Sequence, residues 1–246
     1  MSGNDRRGQA TAFGQVADAY ERGRPSYPDE AVQWLVGDAS RDVVDLGAGT
    51  GKLTRSVVAN GHRVTAVEPL PEMLAQLRAA LPGVTALVGT AESIPLPDAV
   101  ADVVVCAQAF HWFDHAVALP EIARVLKPGG WLSLVWNMKD DREPWVVELN
   151  KAVDRREAVA DGDLHDPIDA SGMFDPVEQT TFSFSQMLDR NTLLDVVRSF
   201  SYCAVLAEPR RTAVLEQVGL LYDRHAGPSG IELPYVTECY RARVRL

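Results

Sequence analysis

The chain has 246 residues, 46% of them hydrophobic and 24% charged, enough apolar side chains to fill one sizeable globular core. Its formal net charge of -10 repels phosphate backbones, and no basic run offers a local exception, so no nucleic-acid partner is expected. Three scattered cysteines without CxxC spacing argue against a disulfide scaffold or zinc site, and no apolar stretch nears the roughly 20 residues of a membrane helix.

From Thr11 to about Gly37, Phe13, Val16, Ala17 and Tyr20, then Ala31, Trp34 and Leu35, follow helical spacing. Two short helices are implied, separated by Arg24-Pro25-Ser26-Tyr27-Pro28, which its prolines keep extended. The Arg6-Arg7 pair is followed by polar residues and not by the apolar core of an export signal, so the expected location is cytoplasmic.

A regular alternation begins at Asp42. Val43, Val44 and Leu46 form a first strand, and Gly47-Ala48-Gly49-Thr50-Gly51 follows it. A helix carrying Leu53, Val57 and Val58 ends at Asn60-Gly61. Val64–Val67 is a second strand; Pro71 opens the next helix, which Pro82-Gly83 closes. Val84–Val88 and Ala101–Ala107 are the third and fourth strands, the fourth almost continuously apolar, as in a strand covered on both faces. A short helix is expected near Pro120–Leu126, ending in Lys127-Pro128-Gly129-Gly130, with Trp131–Trp136 as the fifth strand. Beyond it, residues 141–160 read as a charged amphipathic helix and Val177–Phe184 as a strand. Residues 191–226 are helical in period, and Ile231–Val244 forms one or two β segments.

Strands alternating with helices at this spacing imply parallel crossovers, hence an α/β fold with a doubly wound, mostly parallel sheet. Ligands of such sheets bind beyond the carboxyl ends of the strands, where strand order reverses. The glycine loop lies there, and glycine lets the backbone turn sharply and approach a ligand closely. A phosphate-binding P-loop fails here, because Leu46 replaces its first glycine and Leu53 its Ser or Thr. A dinucleotide fingerprint loses its third glycine to Lys52. Glu68 ends the second strand about 20 residues after the loop, the place of an acid that holds a ribose. A ribose-holding acid with no pyrophosphate motif beside it points to a nucleoside without phosphates.

Val43 to Gly51 closely resembles the first motif of class I S-adenosylmethionine-dependent methyltransferases. Glu68-Pro69 with Met73, Gly89 to Pro95, Ala107-Gln108-Ala109 and Arg124 to Gly130 match further motifs in order. The resemblance is strong over residues 40–137. On the flanks, Tyr20, Arg24-Pro25, Tyr27-Pro28, His111-Trp112-Phe113 and Arg198 to Tyr202 resemble the methyltransferase type 11 group, which includes trans-aconitate methyltransferase-like small-molecule enzymes.

The resemblance implies a seven-stranded sheet, an N-terminal helical lid over residues 1–40 and a methyltransferase domain over 41–246, with 185–230 as a helical cap inserted before the last strand. It implies S-adenosylmethionine as methyl donor. Gly47, Ala48, Gly49 and Gly51 are expected to line its methionine portion. Asp45 is expected to fix the loop or meet the amino group, and Glu68 to hold the ribose hydroxyls. Pro69 and Met73 are expected against the adenine, Ala91 and Glu92 at its edge, and Gln108 beneath the sulfonium. Thr90 stands where many members carry Asp, so the adenine contacts depart from the family pattern.

His111 is the candidate catalytic base, because it follows the fourth strand; with Trp112 it is also assigned to the acceptor side, as are Tyr20 and Arg24. His111 and His115 stand four apart like a helical metal pair, but Trp112 occupies the glutamate position, so no metal is expected. The expected acceptor is a small molecule methylated on a carboxylate or hydroxyl. Two alternatives stay open: a non-catalytic protein that binds S-adenosylmethionine or S-adenosylhomocysteine, and an NAD-dependent oxidoreductase.

Overall fold

A computed structural model describes residues 21–153, 166–200, 203 and 206–245. In chain order they form α1 (Asp29–Val36), β1 (Asp42–Leu46), α2 (Lys52–Ala59), β2 (Arg63–Glu68), α3 (Pro71–Ala80), β3 (Thr85–Val88), β4 (Ala101–Ala107), α4 (His115–Val125), β5 (Leu126–Lys139), α5 (Pro144–Ala152), α6 (Asp166–Ser171), β6 (Glu178–Leu188), α7 (Arg190–Arg198), α8 (Glu208–His225) and β7 (Ile231–Arg243). The strands make one seven-stranded sheet in the order β3-β2-β1-β4-β5-β7-β6. β1 pairs in parallel with β2 and β4, β2 with β3, and β4 with β5. Strand order reverses at β1 and β4, the place where an open α/β sheet offers a ligand crevice. Among the described residues no helix is long and apolar enough to cross a membrane.

The chain divides into two compact units. The larger comprises Ser26–Asn137, Val159–Phe182 and Thr237–Leu246; the smaller comprises Met1–Pro25, Met138–Ala158 and Ser183–Val236. In the larger unit Ala31, Val32, Leu35 and Val36 of α1 pack with Leu53 and Val57 of α2 against Val43, Val103, Val105 and Val135 of the strands. The α1 carbonyl of Leu35 accepts hydrogen bonds from Trp131 Nε1 (2.8 Å) and Ser133 Oγ (2.7 Å), which fasten the helix end to β5. At the opposite pole from the strand tips, Lys127 Nζ bridges Asp42 (2.8 Å) and Asp102 (3.0 Å) and holds the Asp42 carboxyl below its ordinary range; the backbone N–H of Asp42, with Lys127, does the same for Asp102 against its burial.

In the smaller unit Trp145, Val146 and Leu149 of α5, Leu193 and Val197 of α7, and Val218 and Leu221 of α8 share a core with Leu233 and Tyr235. Asp195, almost buried, accepts from Arg22 (2.6 Å) and Arg198 (3.0 Å). Gly23 presses on the α7 backbone so closely that a Cβ would lie 2.4 Å from Val196 N.

Three expectations change. The helix foreseen near Pro120 begins at His115, because the Asp114 side chain caps it by accepting from Ala116 N (3.2 Å), and Pro120 lies inside it. The Lys127-Pro128-Gly129-Gly130 segment does not end an element before β5. It is looped out within β5, where Ala101 pairs with Leu126 but Val103 with Trp131. Gly130 permits the return, since a Cβ there would lie 2.8 Å from Asp102 O. The helix read over 141–160 is α5 from Pro144 to Ala152; residues 154–165 lie outside the described residues.

Candidate active site

The site is built at the carboxyl tips of β1, β2 and β4, all within the larger unit. The glycine loop follows β1 with Gly47, Gly49 and Gly51 at φ of 72°, 57° and 88°, conformations that favour glycine. Gly47 N and Ala48 N donate to Val67 O (2.8 and 3.2 Å), and Gly51 N to Ala48 O (2.9 Å), so the loop is tied to the end of β2. A Cβ on Gly47 would lie 2.8 Å from Ala109 Cβ and 3.7 Å from the Phe113 ring, so the loop and the segment after β4 approach at this glycine. A Cβ on Gly49 would meet nothing within 4 Å. Gly51 starts α2 with no side-chain cap, leaving the amide-rich helix end, with its partial positive charge, beside the loop.

Glu68 closes the other side of this crevice. Its Oε2 accepts from Gly49 N and its Oε1 from Leu70 N, both at 2.9 Å. Burial pushes its carboxyl up, and the two backbone N–H groups work against that shift. The carboxylate thus holds the loop in place while each oxygen keeps a further lone pair for a donor.

Asp45, at the end of β1, is 1% exposed. Its Oδ2 accepts from Thr54 Oγ1 of α2 at 2.5 Å, whereas its Oδ1 has no partner among the described residues. Burial, with the nearby Glu68 charge adding to it, lifts its pKa to about 7. A buried acceptor without a donor is rare in folded proteins and concentrates where a ligand or reaction uses it. Burial, with the Asp45 charge adding to it, pushes the Cys106 thiol of β4 up out of reach of ionisation.

Met73 is buried on α3, and Pro69 is exposed just before it. Ala91 is buried; the neighbouring Glu92 accepts from Asp114 N at 2.9 Å, so it holds the entry to α4. Gln108, directly after β4, stands at φ 58°, a conformation that a glutamine adopts only when its surroundings hold it. Its N–H donates to Val135 O at 3.0 Å. His111 and Trp112 sit in the 3-10 turn Phe110–Trp112 with ring centroids 4.8 Å apart.

The structure therefore brings the loop, Asp45, Glu68, Gln108 and the aromatic turn together around the tips of adjacent strands. Tyr20 lies outside the described residues. Arg24 belongs to the smaller unit, where Nε donates to Ser199 Oγ (2.9 Å) and the guanidinium stands 4.9 Å from the Phe200 ring centre. Two contacts had no sequence signal: Thr54 as the partner of Asp45, nine residues on, and Ala109 with Phe113 against Gly47.

Residues 44–134 match a family described as a methyltransferase domain. Over 241 residues the chain is 49% identical to an uncharacterized methyltransferase of Mycobacterium tuberculosis (strain ATCC 25618 / H37Rv), covering 96% of this chain and 97% of that one. Over 125 residues it is 34% identical to the malonyl-(acyl-carrier protein) O-methyltransferase of Serratia marcescens, 49% of each chain. A solved structure described as a type II methyltransferase from Anaeromyxobacter dehalogenans superposes with a TM-score of 0.63 at 27% identity, over 90% of this chain and 97% of that one. With a relative 49% identical over 96% of this chain and the motifs of the family standing at the strand tips, the chain belongs to the S-adenosylmethionine-dependent methyltransferases.

Proposed function

We propose that the protein transfers a methyl group from S-adenosylmethionine to a small organic acceptor, at a carboxylate or hydroxyl oxygen. The observation that carries the donor assignment is the buried pair of acids flanking the glycine loop. Glu68 is desolvated with lone pairs available, and Asp45 Oδ1 is a buried acceptor without a donor. These residues fit a nucleoside with an amino-acid tail: two ribose hydroxyls donate to Glu68, and an ammonium donates to Asp45. The backbone of Gly47, Ala48, Gly49 and Gly51 lies along the methionine portion, and open space at Gly49 permits close approach. Pro69 and Met73 border the adenine, with Ala91 and Glu92 at its edge and Gln108 towards the sulfonium.

S-Adenosylmethionine supplies an activated methyl on a sulfonium, so the protein's contribution is alignment and exclusion of water. Gln108, fixed in a strained conformation, presents one orientation towards the reacting end. His111 and Trp112 form the wall after β4, with His111 taking the proton when the acceptor is a hydroxyl. A carboxylate acceptor needs no base. The net charge of -10 favours a small molecule over a nucleic acid. The assignment to oxygen draws support from the Serratia relative, whose name describes O-methylation of malonyl-(acyl-carrier protein).

The test is incubation with methyl-labelled donor and a panel of small carboxylic acids, phenols and alcohols. A labelled methyl ester or ether is expected. Label recovered only on nitrogen, or on a macromolecule, would overturn the acceptor assignment. Binding of S-adenosylhomocysteine without any labelled product would favour a non-catalytic binding protein.

A further inference from the structure

Asn137, the last β5 residue of the larger unit, uses both side-chain polar atoms and its backbone carbonyl in bonds to separate segments. Its Nδ2 donates to Ser26 O at 3.1 Å, and its Oδ1 accepts from Thr237 Oγ1 at 2.7 Å. Its backbone carbonyl accepts from Gln108 Nε2 at 3.4 Å, a long bond beside the firm 3.0 Å bond from Gln108 N to Val135 O. One side of the amide must donate and the other must accept, so its orientation is determined by its neighbours. Thr237 is fully buried, and its hydroxyl spends its proton on Asn137.

The positions of these partners along the chain give the arrangement its meaning. Three of the five passages of the chain between the two units lie at Pro25–Ser26, at Asn137–Met138 and at Val236–Thr237. Asn137 therefore joins, within the larger unit, the first residue of one crossing, the last of another and the first of a third. The same residue holds the side chain of Gln108, which stands at φ 58° with no intrinsic preference for that conformation. Two bonds from one stretch of β5 keep it there: Val135 holds its backbone and Asn137 its side chain.

We infer that Asn137 is a positioning residue for methyl transfer: it sets Gln108 at the donor site by knotting the three crossing segments to the end of β5. The inference rests on the proposed place of Gln108 beside the donor. It gives Asn137 no contact with the donor and makes its effect on binding dependent on Gln108.

The experiment is a double-mutant cycle read by calorimetric titration of S-adenosylhomocysteine, with thermal melts alongside. Asn137→Ala is expected to weaken binding about fivefold, and Thr237→Val, which removes only the bond to Oδ1, about twofold. In a Gln108→Ala background neither change is expected to weaken binding further. Val125→Ala, a buried truncation in α4 away from the knot, controls for stability and is expected to lower the melting temperature with affinity unchanged. Wild-type affinity in Asn137→Ala, or an undiminished effect in the Gln108→Ala background, would overturn the inference. Should Asn137→Ala fail to fold, Thr237→Val with and without Gln108→Ala carries the same test. Wild-type protein that binds no S-adenosylhomocysteine would sink the donor-site reading itself, a distinct outcome.

Discussion

Replacing Asp45 by Asn is expected to stabilise the protein in alkaline solution while weakening donor binding. Burial holds the carboxyl at about 7 against an ordinary 3.8. At roughly 1.4 kcal/mol per tenfold change in protonation equilibrium, the ionised form costs the fold about 4 kcal/mol above neutral pH. Between those two values the folded chain holds a proton that the unfolded chain releases, so stability falls as pH rises through this window and levels off above it. An asparagine carries no charge and can still accept from Thr54, but its amide N–H replaces the partnerless Oδ1 and forfeits about 1–3 kcal/mol. The net gain is about 1–3 kcal/mol at alkaline pH, or a rise of roughly 2–10 °C in melting temperature for a chain of this size. The gain shrinks as pH falls and changes sign between about pH 4.5 and 6, where the ionisation cost drops to the forfeited 1–3 kcal/mol, so that near pH 4 the variant is the less stable protein. Thermal melts of wild type and Asp45→Asn across this range, with and without S-adenosylhomocysteine, are the assay. The ligand-induced rise in melting temperature is expected to be smaller in the variant. A variant that melts below wild type at alkaline pH would refute the claim that this carboxylate is held against its own preference.

The glycines of the loop separate conformation from space. Gly49→Ala meets no neighbour within 4 Å but forces alanine to φ 57°; a loss of about 1–2 kcal/mol in stability is expected, with a larger loss of S-adenosylhomocysteine affinity by calorimetry. Gly47→Ala adds a 2.8 Å clash with Ala109 and is expected to melt lower than Gly49→Ala by the same thermal scan. Removing His111 as His111→Ala is expected to lower kcat about 10²- to 10⁴-fold for a hydroxyl acceptor and to leave a carboxylate acceptor nearly unaffected. Equal losses on both acceptor types would assign His111 to positioning and not to proton transfer.

The alternation of strands and helices from Asp42 to Trp136 was legible because each element carries its own period and its own punctuation. The loop glycines and Glu68 were legible because a sharp turn at a strand tip and an acid one strand later leave few chemical alternatives. Pro120 misled by standing inside a helix that Asp114 starts, a case of a side-chain cap outweighing the usual placing of proline. Pro128-Gly129-Gly130 was a true local turn, yet pairing with β4 resumes on its far side, and only the partner strand carries that information. Thr54 beneath Asp45, Thr237 against Asn137 and the left-handed Gln108 have no periodic signal at all. They are set by which elements become neighbours, and a single chain does not write that in its spacing.

The account depends most on Glu68 gripping an adenosyl donor at the tip of β2. Calorimetric titration of S-adenosylhomocysteine into wild type and Glu68→Gln tests it directly, since the amide keeps the shape and one acceptor for the backbone of Gly49 or Leu70. Charge-assisted bonds to two hydroxyls are worth about 1.5–3 kcal/mol each, so a loss of affinity of at least about tenfold is predicted. Equal affinity in the two proteins, with wild type binding normally, would contradict it.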